Sequence, residues 1–323
     1  PRGAPVVRGE LIAVDPSPAA IAALRDAGFR VRETRELEPL GLRVLVLEAP
    51  ARGSLRRALR TARSLDPDGR YDYNHLYLGA GPARAADVPD ARTQASTTAA
   101  IPGDTGSAGA PIIGLVDGGV DPSLPAFAGR DLARHGCPGA APDPHGTAVA
   151  ALLLQAPRVR LRAADIYCGE ATGGAVTRLA DALAWLASER ATVINLSLVG
   201  PPNALMASLG ARLQQRGHVR VAAVGNDGPA APPLYPAAYP GVIGVAAVDA
   251  RGKPLPESGR GAHVDFAAHG LFELARDDGR ALRFRGTSFA APRVARRAAV
   301  LPPVPGGDAA AATQRALAAL ARD

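Results

Sequence analysis

From Pro111 onward the chain consists of short, continuous apolar runs separated by segments with helical spacing, a pattern that few folds accommodate. A strand buried on one face alternates apolar and polar residues, whereas a strand buried on both faces is apolar throughout. The runs Ile112 to Val116, Val159 to Ile166, Thr192 to Leu198, Val219 to Val224 and Gly241 to Val248 come closest to the second kind, although Arg160, Arg162, Asp165, Asn195, Ser197 and Arg220 interrupt three of them. Between them, Thr147 to Leu154, Val176 to Ala187, Ala204 to Arg216 and Ser288 to Ala299 carry apolar residues three and four apart, as helices do. The expected architecture is α/β, a doubly wound and mainly parallel sheet with helices on both faces.

At 323 residues the chain has room for that domain and a smaller companion. Residues 10 to 78 supply one. Glu10 to Val14 reads as a strand, Ser17 as an N-cap, Pro18 as the first helical residue and Gly28 as the helix stop. Leu42 to Leu47 is a second strand; Ser54 caps a helix striped by Leu55, Ala58, Leu59, Ala62 and Leu65; and Asp66-Pro67-Asp68-Gly69 turns the chain into a last strand, Tyr71 to Leu78. The order strand, helix, strands, helix, strand is that of a small ferredoxin-like α+β unit. From Gly79 to Ala110 large apolar residues nearly vanish, which predicts a flexible linker. The expected division is therefore 1–79, a linker over 80–110, and a main domain over 111–323.

Composition excludes several function classes. The net charge of +7 comes from scattered arginines and a single lysine, Lys253, with no dense basic run, so no nucleic-acid partner is expected. No apolar run reaches about 18 residues, so no membrane span is expected. Two cysteines, Cys137 and Cys168, cannot make a structural zinc site alone, and no acidic loop is spaced for calcium, so neither metal nor cofactor is predicted.

Four segments bear chemistry. Asp117 directly follows a buried strand, where α/β sheets deliver functional residues, though alone it reads as an ordinary turn aspartate. His145-Gly146-Thr147 opens a helix expected to begin near Thr147, and a lone histidine there reads as a surface residue. Gly286-Thr287-Ser288-Phe289-Ala290-Ala291-Pro292 is more specific: a serine at a helix start, where free N–H groups favour developing negative charge. Val221 to Gly228 runs a buried strand into a tight turn that presents the Asn226 amide.

In this order, and together with the VINLSL strand and the YPAAYPGVIGVAAVD stretch, these segments resemble the subtilase family of serine peptidases over most of Pro111 to Val300. The resemblance implies a subtilisin-like fold with Ser288 as nucleophile, His145 as general base, Asp117 orienting His145, and Asn226 in the oxyanion hole. It implies polypeptide substrates and a primary pocket walled by Leu198, Val199, Gly200, Val224 and Gly225 and floored by Leu234. Val199 and Leu234 stand where many relatives have glycine, so the pocket is expected to be shallow and apolar. The sequence departs from the family pattern in places: Gly118 replaces the usual Ser or Thr, which bears on activity, Arg293 stands where many members have His, Asp227 replaces a common Glu, and the catalytic part is compact. A catalytically impaired binding protein of the same fold is the alternative.

The N-terminal unit resembles the inhibitory propeptide of subtilases in position, size and element order. That implies an intramolecular partner whose residues 74 to 80 lie across the cleft as an added edge strand. Cys137 precedes His145 and Cys168 ends the strand after the His145 helix, so adjacent loops bring them near enough either for a disulfide or for two buried thiols. Because the sequence opens on Pro1, an upstream export signal and a secreted or periplasmic location are expected.

Overall fold

The computed structural model describes residues 3–80, 86–88, 109–155, 158–275, 280–301 and 309–320. The N-terminal unit runs β1 (Val6–Val14), α1 (Pro18–Asp26), β2 (Arg30–Leu37), β3 (Leu42–Glu48), α2 (Leu55–Leu65) and β4 (Arg70–Gly79). Its strands lie in the order β4-β1-β3-β2, all antiparallel. Both helix starts are fixed as their sequences dictate: the Ser17 hydroxyl accepts from the Ala20 N–H at 3.1 Å and the Ser54 hydroxyl from the Arg57 N–H at 3.2 Å. β2 carries five charged residues among eight and lies at the sheet edge, where charged side chains reach water and discourage further pairing.

Next comes β5 (Ala86–Val88), inside the stretch expected to be linker; 81–85 and 89–108 of that stretch lie outside the described residues. The main domain continues through β6 (Ile112–Asp117), β7 (Leu132–His135), α3 (Pro144–Leu153), β8 (Arg160–Asp165), β9 (Gly174–Ala175), α4 (Val176–Ser188), β10 (Val193–Leu196), β11 (Leu198–Val199) and α5 (Ala204–Gln215). It ends with β12 (Val219–Ala223), β13 (Val242–Val248), β14 (Phe266–His269), β15 (Leu271–Ala275), β16 (Ala281–Arg285), α6 (Thr287–Ala299) and α7 (Ala309–Leu320). Seven strands form one sheet, β14-β13-β12-β10-β6-β8-β7, in which every pairing is parallel. A separate antiparallel sheet, β15-β16-β5, sits beside it.

Alternation along the central strands explains the continuous apolar runs. Ile113, Leu115, Val193 and Val221 pack with Leu152 of α3 and Phe289 and Ala295 of α6. Their neighbours Val116, Ile194, Leu196 and Ala222 turn the other way, onto Leu183 of α4 and Leu209 of α5. Strand neighbours on the β8 side and the β10 side of β6 come from opposite directions of winding, and such a reversal opens a crevice at the carboxyl ends of the strands. Asp117 is the last residue of β6 and stands at that crevice.

The expected strand Thr192 to Leu198 is in fact two. β10 belongs to the parallel sheet, Ser197 interrupts it, and β11 pairs instead with β4. A disulfide joins Cys137 and Cys168, whose Cα atoms lie 5.3 Å apart, tying the loop after β7 to the loop after its neighbour β8. Among the described residues no helix is long and apolar enough to cross a membrane.

Candidate active site

Asp117 is fully buried, and its Oδ1 accepts the Gly118 N–H at 2.8 Å. α3 begins three residues earlier than the expected Thr147, at Pro144, because Asp143 is an N-cap and proline suits the first helical position. His145 therefore stands within the first turn, with its Nδ1 at 2.8 Å from Asp117 Oδ1. An ionised carboxylate only accepts, so Nδ1 carries the proton and Nε2 is left as the acceptor. The imidazole packs edge-on against the Phe289 ring, with centroids 5.2 Å apart, which sets it beside the start of α6.

Ser288 lies in the first turn of α6 behind Gly286, whose φ of 137° is one that other residues rarely adopt. A side chain at Gly286 would also collide with Asn226, its Cβ falling 2.6 Å from Nδ2. The Ser288 Oγ is buried and makes no hydrogen bond among the described residues, so the structure brings Asp117 and His145 into contact without closing a His145 to Ser288 bond. Pro292 explains a second feature of this helix. Lacking an N–H, it cannot donate to the carbonyl of Ser288 four residues before it. The Ser197 hydroxyl donates to that carbonyl instead, at 3.1 Å, and accepts from Asn195 Nδ2 at 2.8 Å. Ser197 thereby braces the helix under Ser288.

Asn226 is fixed by its oxygen. Oδ1 accepts the Thr287 N–H at 2.9 Å, while Thr287 Oγ1 accepts the Gly225 N–H at 3.2 Å, so the amide nitrogen is turned outward. There Nδ2 donates to the carbonyl of Ala80. Ala80 directly follows β4, whose end is clamped on both sides: Leu76 and Tyr77 pair with Ala175 and Gly174 of β9, and Leu78 and Gly79 pair with Val199 and Leu198 of β11. Tyr77 is wholly buried, and its hydroxyl donates to the Pro201 carbonyl at 2.8 Å. Its ring fits only because residue 200 is glycine, since a Cβ there would come 2.5 Å from the ring.

Most of the expected pocket residues also converge. A Cβ on Gly225 would meet Leu234 Cδ1 at 2.6 Å and Val199 Cγ1 at 3.5 Å, so these two side chains close over Gly225 from two sides. Gly200 and Tyr235 exchange both backbone hydrogen bonds, at 2.8 and 3.0 Å, and fix the distance between the wall and the floor. Leu198 and Val224 are buried in the core behind that wall. Arg293, one of the departures, donates to the His269 and Leu271 carbonyls at 2.9 and 3.1 Å and pins the turn between β14 and β15 onto α6. Sequence reasoning missed the parts played by Tyr77, Ser197 and Thr287; only the proline five residues after Thr287 signalled the need for Ser197.

Burial pushes the Asp117 carboxyl up, opposed by the His145 ring and the Gly118 N–H. Burial works against a charged His145, but the charge and hydrogen bond of Asp117, with the charge of Asp143, outweigh it and hold the imidazole above its ordinary pKa.

A parallel seven-stranded sheet that presents a buried Asp–His pair, a serine in the first turn of a helix and an amide donor over one crevice defines the subtilisin-like class. The profile of the subtilase family matches residues 109–317, and the chain belongs to that family. It is 32% identical over 169 residues to Subtilisin Savinase of Lederbergia lenta, covering 49% of this chain and 62% of that one. It is 28% identical over 214 residues to Subtilisin E of Bacillus subtilis strain 168, covering 58% of this chain and 54% of that one. The chain thus spans rather more than half the length of these two relatives. Among solved structures, the prenylagaramide maturation protease PagA is 29% identical with a TM-score of 0.54, over 58% of this chain and 73% of that one. Fervidolysin of Fervidobacterium pennivorans, a keratinolytic enzyme related to subtilisin, shares the fold over 93% of this chain and 55% of its own, with a TM-score of 0.69 at 18% identity.

Proposed function

We propose that the chain is a serine endopeptidase acting through Asp117, His145 and Ser288, made as a zymogen whose N-terminal unit occupies its own cleft. One observation carries this reading: the Ala80 carbonyl accepts from Asn226 Nδ2 at the end of a strand held between β9 and β11. That is the posture of a peptide whose carbonyl lies in an oxyanion hole.

In this reading the Ser288 Oγ attacks the carbonyl carbon and its proton passes to His145 Nε2. Asn226 Nδ2 and the Ser288 N–H take the charge that develops on oxygen. His145 then protonates the leaving amine, and water releases the acyl group through the same histidine. Asp117 holds the ring and favours its charged form throughout. Self-processing falls after Ala80, and the freed unit remains as an inhibitor. The substrates are polypeptides, and a disulfide beside the site suits a secreted or periplasmic enzyme.

The buried Ser288 Oγ and Asp117 Oδ2, both without hydrogen bonds among the described residues, favour a second reading, a binding protein of impaired catalysis. A fluorophosphonate probe with N-terminal sequencing separates the two. The proposal expects labelling that Ser288→Ala abolishes, and a new N-terminus at Gly81 in the parent chain only. Folded protein that neither labels nor processes would refute the first reading and support the second.

A further inference from the structure

Asp143 does more than start a helix. Its Oδ1 accepts the His145 backbone N–H at 2.6 Å, and its own N–H donates to the Gly119 carbonyl at 2.7 Å. The residue is thus latched both to the helix that carries the imidazole and to the turn that follows Asp117. Its side chain also fills the space beside residue 118. A Cβ on Gly118 would fall 2.5 Å from Asp143 Cβ and 2.6 Å from its Oδ2, closer than such atoms approach, so a hydroxyl-bearing residue at 118 and this carboxylate position exclude each other.

The arrangement leaves Asp117 thinly held. Its Oδ1 takes both the His145 ring and the Gly118 N–H, while its Oδ2 is buried and has no partner among the described residues. Around the imidazole, Asp117 comes from the end of β6, Asp143 from the helix start and Phe289 from α6, while the Tyr167 phenol from the loop after β8 lies near Asp117, Asp143 and Asp165. Burial and the three nearby carboxylates keep the Tyr167 phenol protonated. The charges acting on the ring are therefore those of Asp117 and Asp143, both negative.

Building on the peptidase reading above, we propose that Asp143 is a positioning residue of the active site. It locks the start of the His145 helix against the Gly118 turn, and it supplies a second negative charge that favours the imidazolium formed when Ser288 gives up its proton. The bare backbone at 118 is the counterpart of that carboxylate.

The test compares Asp143→Asn with Asp143→Ala in the full chain. Asparagine caps a helix as well as aspartate does, so Asp143→Asn removes the charge and keeps the latch, whereas Asp143→Ala removes both. His145 is titrated by ring NMR in the uncleavable Ser288→Ala background, and kcat/KM is followed against pH in the processed enzyme. Asp143→Asn should keep the parent melting temperature and lower the His145 pKa by roughly half a unit or more, a shift that shrinks in high salt. The rising limb of its pH profile should move down with it, and its high-pH plateau should fall about three- to tenfold, since a less basic ring is a poorer base. Asp143→Ala should show the same shift and a lower melting temperature. An unchanged His145 titration in Asp143→Asn overturns the proposal whether or not the chain turns over peptides; absence of turnover by the parent chain, with the titration shifted, refutes the peptidase reading and the catalytic role drawn from it.

Discussion

Asn226 divides its labour between two atoms, the oxygen tied to the Thr287 N–H and the nitrogen donating to the Ala80 carbonyl. Asn226→Asp keeps the anchoring acceptor and loses the donor, so it isolates the second function. Its kcat should fall by about 10²- to 10³-fold, near 3 to 4 kcal/mol, with KM almost unchanged, because the donor acts on charge that exists only during reaction. A fall in thermal stability without that loss of kcat would assign Asn226 to scaffolding. The pH profile follows from His145. In the proposed peptidase, catalysis needs the neutral ring, and its neighbours hold the pKa above the ordinary 6.5, so kcat/KM should rise with pH and reach half its plateau above 6.5. A half-maximum below that value would contradict the electrostatics of the pair. The places of Asp117, His145, Ser288 and Asn226 at strand ends and helix starts were legible in the sequence, although Asp117 and His145 stood out only through the resemblance of the four segments taken together. Ser197 was not legible, since its task arises from a missing N–H 95 residues away, at Pro292.

At the scale of elements, legibility followed burial. Strands covered on both faces betrayed themselves by continuous apolar runs, while the edge strands β2 and β7 did not, because RVRETREL and LARH have no apolar face to show. β15 and β16 carried a readable alternation, with Phe272 and Leu274 answered across the ladder by Phe284 and Leu282, yet short alternating runs among polar residues are easily taken for loop. The joint between β10 and β11 was hidden for a different reason: Ser197 stands between apolar residues that read as one strand, and only the pairing of β11 with β4 reveals the break. In the proposed peptidase that joint would shape specificity. Val199 from β11 and Leu234 from the facing loop close over Gly225, and the residue whose carbonyl meets Asn226 is the small Ala80. Peptides with Ala before the cleaved bond should therefore be preferred over those with Phe. Leu234→Gly should shift the Phe-to-Ala ratio of kcat/KM toward Phe by about 1 to 3 kcal/mol, read with matched reporter peptides. An unaltered ratio would mean that Leu234 does not bound the pocket.

The whole molecule is held together by a sheet that two units share. In β1, Leu11 and Ala13 face the N-terminal unit's own core with Leu24, Phe29 and Leu59, whereas Ile12 and Val14 face Leu183 and Leu209 of the main domain. One strand thus serves two cores, which is why Leu11 to Val14 reads as a continuous apolar run though it lies in an antiparallel sheet. Polar contacts complete the seam: Asp72 accepts from the Ala204 N–H at the start of α5 at 2.9 Å, Asn203 Nδ2 donates to the Tyr73 carbonyl at 3.0 Å, and Arg35 pairs with Asp181. A carboxylate at a helix start is favourable, so Asp72 suits this position by charge as well as by hydrogen bond. Residues 1 to 80, added to processed enzyme, should therefore inhibit it by rebuilding this seam and reseating Ala80. The face carrying Ile12 would be open to water in the free fragment, so Ile12→Asp would not trouble the fragment's own core. On docking, the same carboxylate would be buried among the apolar residues of the seam, and apolar burial would be lost as well. The inhibition constant should weaken by at least 100-fold, about 3 kcal/mol, while the circular dichroism of the free fragment stays as it was. If the parent fragment leaves peptidase activity untouched in excess, or if Ile12→Asp inhibits as well as the parent, the shared sheet is not what holds the inhibitor in place.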